Sequence, residues 1–210
     1  MADLTGYIFT RSRYYRIRAY SLICSICSKT SMTLRGVSYG NGLRFYGLPV
    51  IIRMHESRIS IGKNCSFRSD FTSNLVGINR KCIITTLRRK AEIKIGEGSG
   101  FSGTVIAAAG SIRIGKNVLC GANTTITDYD WHGTAPDSRN KPADPKPVTI
   151  EDNVWLGLNT IVLKGVTIGK NSVIGANSVV TKDIPENVIA AGNPCKVIRD
   201  INSVIKTERQ

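Results

Sequence analysis

Six residues separate each of Ile150, Leu156, Val162, Ile168, Ile174 and Val180, and this unbroken period constrains the fold more than any other feature of the chain. An amphipathic helix needs apolar residues every three or four positions, and a half-buried strand needs strict alternation. A six-residue period satisfies neither. It suits a parallel β-solenoid in which each repeat supplies one short strand and one turn. Gly or an acidic residue usually follows the aliphatic position (Glu151, Gly157, Gly169, Gly175), and small or β-branched residues recur four places on (Val154, Thr160, Val166, Ser172, Ser178). Three repeats close a triangular coil of about eighteen residues, and coils stack at about 4.8 Å, so their aliphatic residues form one buried column.

The period extends toward the N-terminus with interruptions. Ile114, Cys120 and Ile126 keep it, as do Ile95 with Phe101 and Ile61 with Phe67. Slips around residues 69–80 and 106–112 read as loops or bulges at the corners of the triangle. From Ile126 to Ile150 the chain carries Asp, Pro, His and Gly with no aliphatic ladder, which predicts a loop excursion over residues 127–149. Loops projected from a rigid scaffold are where sites are usually built. The expected organisation is an all-β left-handed parallel β-helix over residues 36–190, with a basic helical cap over 1–35 and a C-terminal tail over 191–210. The hand of this helix is taken from the family resemblance described below.

With 210 residues and 41% hydrophobic content, the chain has enough material for one sizeable core. Its formal charge of +14 is concentrated in two clusters, Arg11 to Arg18 and Arg80 to Lys94. This is either a solvated surface or an attraction to an anionic substrate or membrane. Aromatics do not interleave with these charges along the solenoid, which argues against nucleic acid. Cys24 and Cys27 form a lone CxxC without two further ligands, so no zinc knuckle and no metal are expected. Reduced cysteines and the lack of a cleavage site point to the cytoplasm. The uncharged segment Ala19 to Ser28 is about half of what spans a bilayer. The N-terminal segment therefore reads as a helix capping the open end of the solenoid, or as a basic amphipathic segment resting peripherally on the inner face of the membrane.

The segment "KPVTIEDNVWLGLNTIVLKGVTIGKNSVIGANSVVTKDIPENVIAAGNPCKVIRDI" resembles the hexapeptide-repeat O-acetyltransferases of the maltose, galactoside and polysaccharide or lipopolysaccharide type. The likeness is strong over residues 112–201, fair from about 59, and loose before 55. It implies a left-handed parallel β-helix, a homotrimer, and acetyl-CoA bound as co-substrate between neighbouring subunits.

Acetyl transfer to a hydroxyl needs a base that takes the proton as oxygen attacks the thioester, and imidazole serves near neutrality. The family places that histidine in the loop after the middle coils, where "ITDYDWHG" carries His132. Relatives of the sugar type usually have Thr or Gly before it and Pro after; here Trp131 and Gly133 flank it, which bears on the acceptor. Asp128, Asp130 or Glu151 could accept the other ring N–H and orient the imidazole. No Ser or Cys is evidently paired with His132 as a nucleophile, so direct transfer is the expected route. By resemblance, Trp155 lines the cleft, the pantetheine arm runs near Gly157, Ala176 and Thr181, and Lys182, Lys196 and Arg199 face the phosphates or adenine. Gly157 N–H is the candidate oxyanion donor.

These features predict an acetyl-CoA-dependent O-acetyltransferase acting on a saccharide or glycan. The alternative is an N-acetyltransferase for an amino sugar or nucleotide sugar. A carbonic-anhydrase reading needs three histidines, and the chain has two.

Overall fold

The computed structural model describes residues 3–141, 143–201 and 203. Among the described residues twenty strands form three sheets, which are the faces of a triangular prism. The first face stacks six strands from Ser38–Tyr39 to Thr167–Ile168, the second eight from Arg44–Tyr46 to Lys196–Asp200, and the third six from Val50–Ile52 to Val179–Val180. Neighbouring strands are parallel, as where Trp155 lies between Leu119 and Val173 on the second face. The exception is the terminal strand Lys196–Asp200, within the segment assigned to the tail, which pairs antiparallel with Val188–Ala191. The end of that segment lies outside the described residues.

The predicted inward column is present. Leu156, Val162, Ile168, Ile174 and Val180 are all 0% exposed. Phe45, Phe67 and Phe101 stack with ring centroids 5.0 Å apart, close to the strand spacing, so one aromatic sits on the next down the second face. Cys65, Cys82 and Cys120 fill the same interior as small apolar residues.

In the later coils two of the corners turn on asparagine, while glycine takes the left-handed position elsewhere, as at Gly42, Gly98 and Gly165. Asn117, Asn153, Asn171 and Asn187 at one corner, and Asn123, Asn159 and Asn177 at the next, all have φ between 53° and 62°. This left-handed region admits Asn more readily than bulkier residues. Successive side-chain amides bond along the axis: Asn153 Nδ2 donates to Asn171 Oδ1 at 3.1 Å, and Asn171 Nδ2 to Asn187 Oδ1 at 2.8 Å. The glycines in the repeat do another job. At Gly157 an added Cβ would lie 2.6 Å from the Ala176 nitrogen, so the next coil can stack only because the side chain is missing.

Two interruptions expected from the sequence differ in kind. Residues 69–80 do leave the prism, with a short helical turn at Phe71–Ser73. Residues 106–112 do not: Val105–Ala108 and Ser111–Ile114 are separated by a tight corner, and Ile106 and Ile112 both point inward. The apparent slip came from the run of alanines, which fits two inward residues per strand.

The N-terminal segment is one helix, Leu4–Leu34, opened by Asp3, whose carboxylate accepts from Gly6 N–H at 2.8 Å. Its second half buries Ser21, Cys24, Ser25, Ser28 and Met32 against the strand Arg44–Tyr46, and Phe45 N–H donates to Ser25 Oγ at 3.0 Å. It thereby covers the open end of the apolar column.

Candidate functional site

The excursion leaves the third face after Thr127 and rejoins the first at Val148. Its root is rigid. The Asp128 carboxylate is fully buried and accepts from Ala109 N–H and Gly110 N–H, each at 2.7 Å. Its carbonyl accepts from Lys146 N–H at 2.9 Å, so the outgoing and returning chains are joined at this point. The buried Tyr129 ring has the Arg88 guanidinium 4.6 Å from its centroid and meets Trp131 edge-on. Asp130 takes an ion pair from Lys164, one coil further on.

Beyond this root the loop folds on itself. A helical turn at Pro136–Ser138 returns the Arg139 carbonyl to the start of the loop, where it accepts from Gly133 N–H at 3.4 Å and faces His132 Nδ1 at 3.2 Å. A carbonyl only accepts, so Nδ1 carries a proton, and in the neutral ring the lone pair is on Nε2. Gly133 is a geometric requirement of this loop, because a Cβ there would come within 2.3 Å of the Ser138 carbonyl oxygen. The imidazole is exposed.

None of the three nominated carboxylates orients that ring in this structure. Asp128 is committed to the amides of residues 109 and 110, Asp130 to Lys164, and Glu151 accepts from Lys170 N–H at 2.9 Å at another corner. A backbone carbonyl takes the place of the expected acid. Arg139 had no signal in the sequence, since any residue supplies a carbonyl. Lys164 had one: once Ile126 is aligned with Val162, it falls beside the loop root.

The residues nominated for the cofactor fall into three groups. Trp155 is exposed on the second face, and Gly157 and Ala176 follow at its corner with the third. Thr181 and Lys182 are exposed at the opposite edge of the third face, the edge from which the excursion departs. Lys196 and Arg199 are exposed on the terminal antiparallel strand, which Cys195 N–H ties to the Val179 carbonyl at 2.8 Å. The outward positions of the third face are largely apolar, with Val50, Ile83, Val105, Thr125, Ile161 and Val179 in register. Those of the first are polar, including Arg58, Lys94, Arg113 and Thr167. Among the described residues no group of three His, Cys, Asp or Glu side chains is arranged to hold a metal ion.

Known proteins share this architecture. The family profile described as the hexapeptide repeat of succinyl-transferase matches residues 147–182. A galactoside O-acetyltransferase of Lactococcus lactis is 45% identical over 145 residues, covering 68% of this chain and 63% of its own. That of Escherichia coli is 50% identical over 94 residues, covering 44% and 45%. The chain thus spans less than two thirds of either relative. A solved galactoside acetyltransferase in complex with coenzyme A is 31% identical, covers 80% of this chain and 67% of its own, and superposes with a TM-score of 0.53. A three-faced prism of six-residue rungs, a histidine loop at one corner and this measured likeness together establish that the chain belongs to the hexapeptide-repeat, left-handed β-helix acetyltransferases.

Proposed function

We propose that this chain is an acetyl-CoA-dependent O-acetyltransferase whose acceptor is a saccharide or glycan hydroxyl, with His132 as the general base. The observation that carries the reading is the hydrogen bond from Nδ1 to the Arg139 carbonyl, which holds the exposed ring by one nitrogen and leaves Nε2 without a protein partner among the described residues. In its neutral form the ring can take the acceptor's proton as its oxygen attacks the thioester carbonyl. The proton then passes to the departing thiolate as the tetrahedral intermediate collapses, so acetyl moves from sulfur to oxygen in one encounter of two bound substrates. Gly157 N–H, the donor expected for the developing oxyanion, is instead committed to the Ile174 carbonyl at 2.8 Å, so its part in the site is to let the next coil approach closely.

The cofactor is assigned to Trp155, Gly157, Ala176 and Thr181 for the pantetheine arm and to Lys182, Lys196 and Arg199 for the phosphates, where exposed cations suit phosphate oxygens. Gly157 and Ala176 stand across the third face from the histidine loop, a width of about 7–10 Å for strands of two or three residues. As the family resemblance implies, the proposed working form is a homotrimer with its sites between subunits, in which a neighbour's Gly157 corner would face this ring. A cytoplasmic location fits the free cysteines.

His132→Ala tests the reading by coenzyme A release with a panel of saccharides. A fall in kcat of about 10²- to 10⁴-fold with unchanged thermal unfolding is expected. Undiminished turnover overturns the assignment, and acetylation confined to amino sugars would move it to N-transfer.

A further inference from the structure

The helix Leu4–Leu34 uses one face to seal the prism, and the opposite face has no partner among the described residues. Leu4, Ile8, Tyr15, Ala19, Leu22 and Ile26 recur at helical spacing on that outer side, and Ile8, Leu22 and Ile26 are 57%, 65% and 58% exposed. Along one edge of this stripe run Arg11, Arg18 and Lys29. The Arg11 guanidinium lies 5.9 Å from the Tyr7 ring centroid and 5.6 Å from that of Tyr15, and Arg18 donates to Tyr14 OH at 3.0 Å. Where the helix meets the prism, a cleft of about 680 Å³ is lined by Arg18, Lys29 and Arg44 with Tyr14 and Tyr46, and by no carboxylate. The helix itself contains no acidic residue. No helix among the described residues is long and apolar enough to cross a membrane.

We infer that this outer face is a docking surface for an anionic lipid bilayer, with the apolar stripe at the acyl boundary and the Arg11, Arg18, Lys29 and Arg44 row on headgroup phosphates. The charge pattern favours lipid over a second copy. A second copy of the helix would bring the same Arg11, Arg18 and Lys29 edge and no carboxylate to neutralise it, because the helix contains no acidic residue. On a bilayer the same side chains extend to the phosphates while their stems lie on the stripe. The surface is independent of the transfer site, since none of its residues is assigned to base or cofactor.

The test is flotation of the full chain with phosphatidylcholine vesicles, with and without phosphatidylglycerol, alongside two variants. One is Ile8→Ser/Leu22→Ser/Ile26→Ser, and the other is Arg11→Gln/Arg18→Gln, which keeps every apolar residue should the first fold poorly. Binding only to the phosphatidylglycerol vesicles, weakened by salt and reduced at least about tenfold in each folded variant, is the expected result, with transfer to a soluble acceptor unchanged. Equal binding to both vesicle types, or none to either, overturns the inference. So does a stripe variant that still floats but changes oligomeric state, which would make the face a contact between copies.

Discussion

The coils after the histidine loop and those before it enclose the same triangular space with different materials. After the loop, five of the six parallel strands from Trp155–Leu156 to Val188–Ala191 have two residues, each interior position is a single aliphatic or small residue, and the first two corners turn on Asn. Before it, strands such as Arg58–Ile61 and Glu92–Ile95 have four residues with two inward positions. A phenylalanine stack fills part of the interior, and two of the corners turn on Glu56 and Lys90. The contrast shows that stacking register is set by backbone hydrogen bonding between coils, which tolerates varied interiors, while textual regularity requires every corner to use the same turn.

Phe67→Ala should have the largest effect on this contrast. It removes the middle ring of the stack and should cost about 3–5 kcal/mol in denaturant unfolding. A cost near that of a surface change would mean the early coils do not depend on their aromatic filling. Next comes Asp128→Asn, where an amide donor must oppose one of the two buried N–H groups; about 2–3 kcal/mol of stability should be lost, with a lower kcat as the loop root loosens. Retained kcat in a destabilised protein would separate the root from the chemistry. Asn171→Ala puts a Cβ-bearing residue without a side-chain amide at positive φ and breaks two ladder bonds in the late coils, at about 1–2 kcal/mol. The smallest effect concerns thiol reactivity. Burial raises the thiols of Cys65, Cys82 and Cys120 and keeps them protonated, so alkylation of the native protein should label the exposed Cys27 and leave these three unmodified until unfolding.

Much of the fold was legible from Ile150 to Val180, because one inward residue per face makes the period visible to the eye. The Phe45 rung was not, because Tyr39 and Ile51, six residues to either side, mix aromatic with aliphatic and hide the period. Nor was the corner role of asparagine, because a polar residue at a turn reads as solvation until its φ and its neighbour one coil away are known. At the candidate site, His132 was nominated from its loop and the family resemblance, and its support was sought among carboxylates. Asp128 is the instructive case: an acid four residues from a candidate base turned inward to satisfy two amides, which is a better-paid position for a buried charge than an exposed loop.

What the sequence determined by itself is the prism: a six-residue period, a break in it, and a histidine within the break, all local facts that stacking repeats without alteration. Only the tertiary structure decided what touches the imidazole, which face of the solenoid is apolar outside, and which side of the N-terminal helix stays uncovered. Those depend on groups brought together from distant coils, and on backbone carbonyls and amides that every residue carries alike, so no residue type announces them.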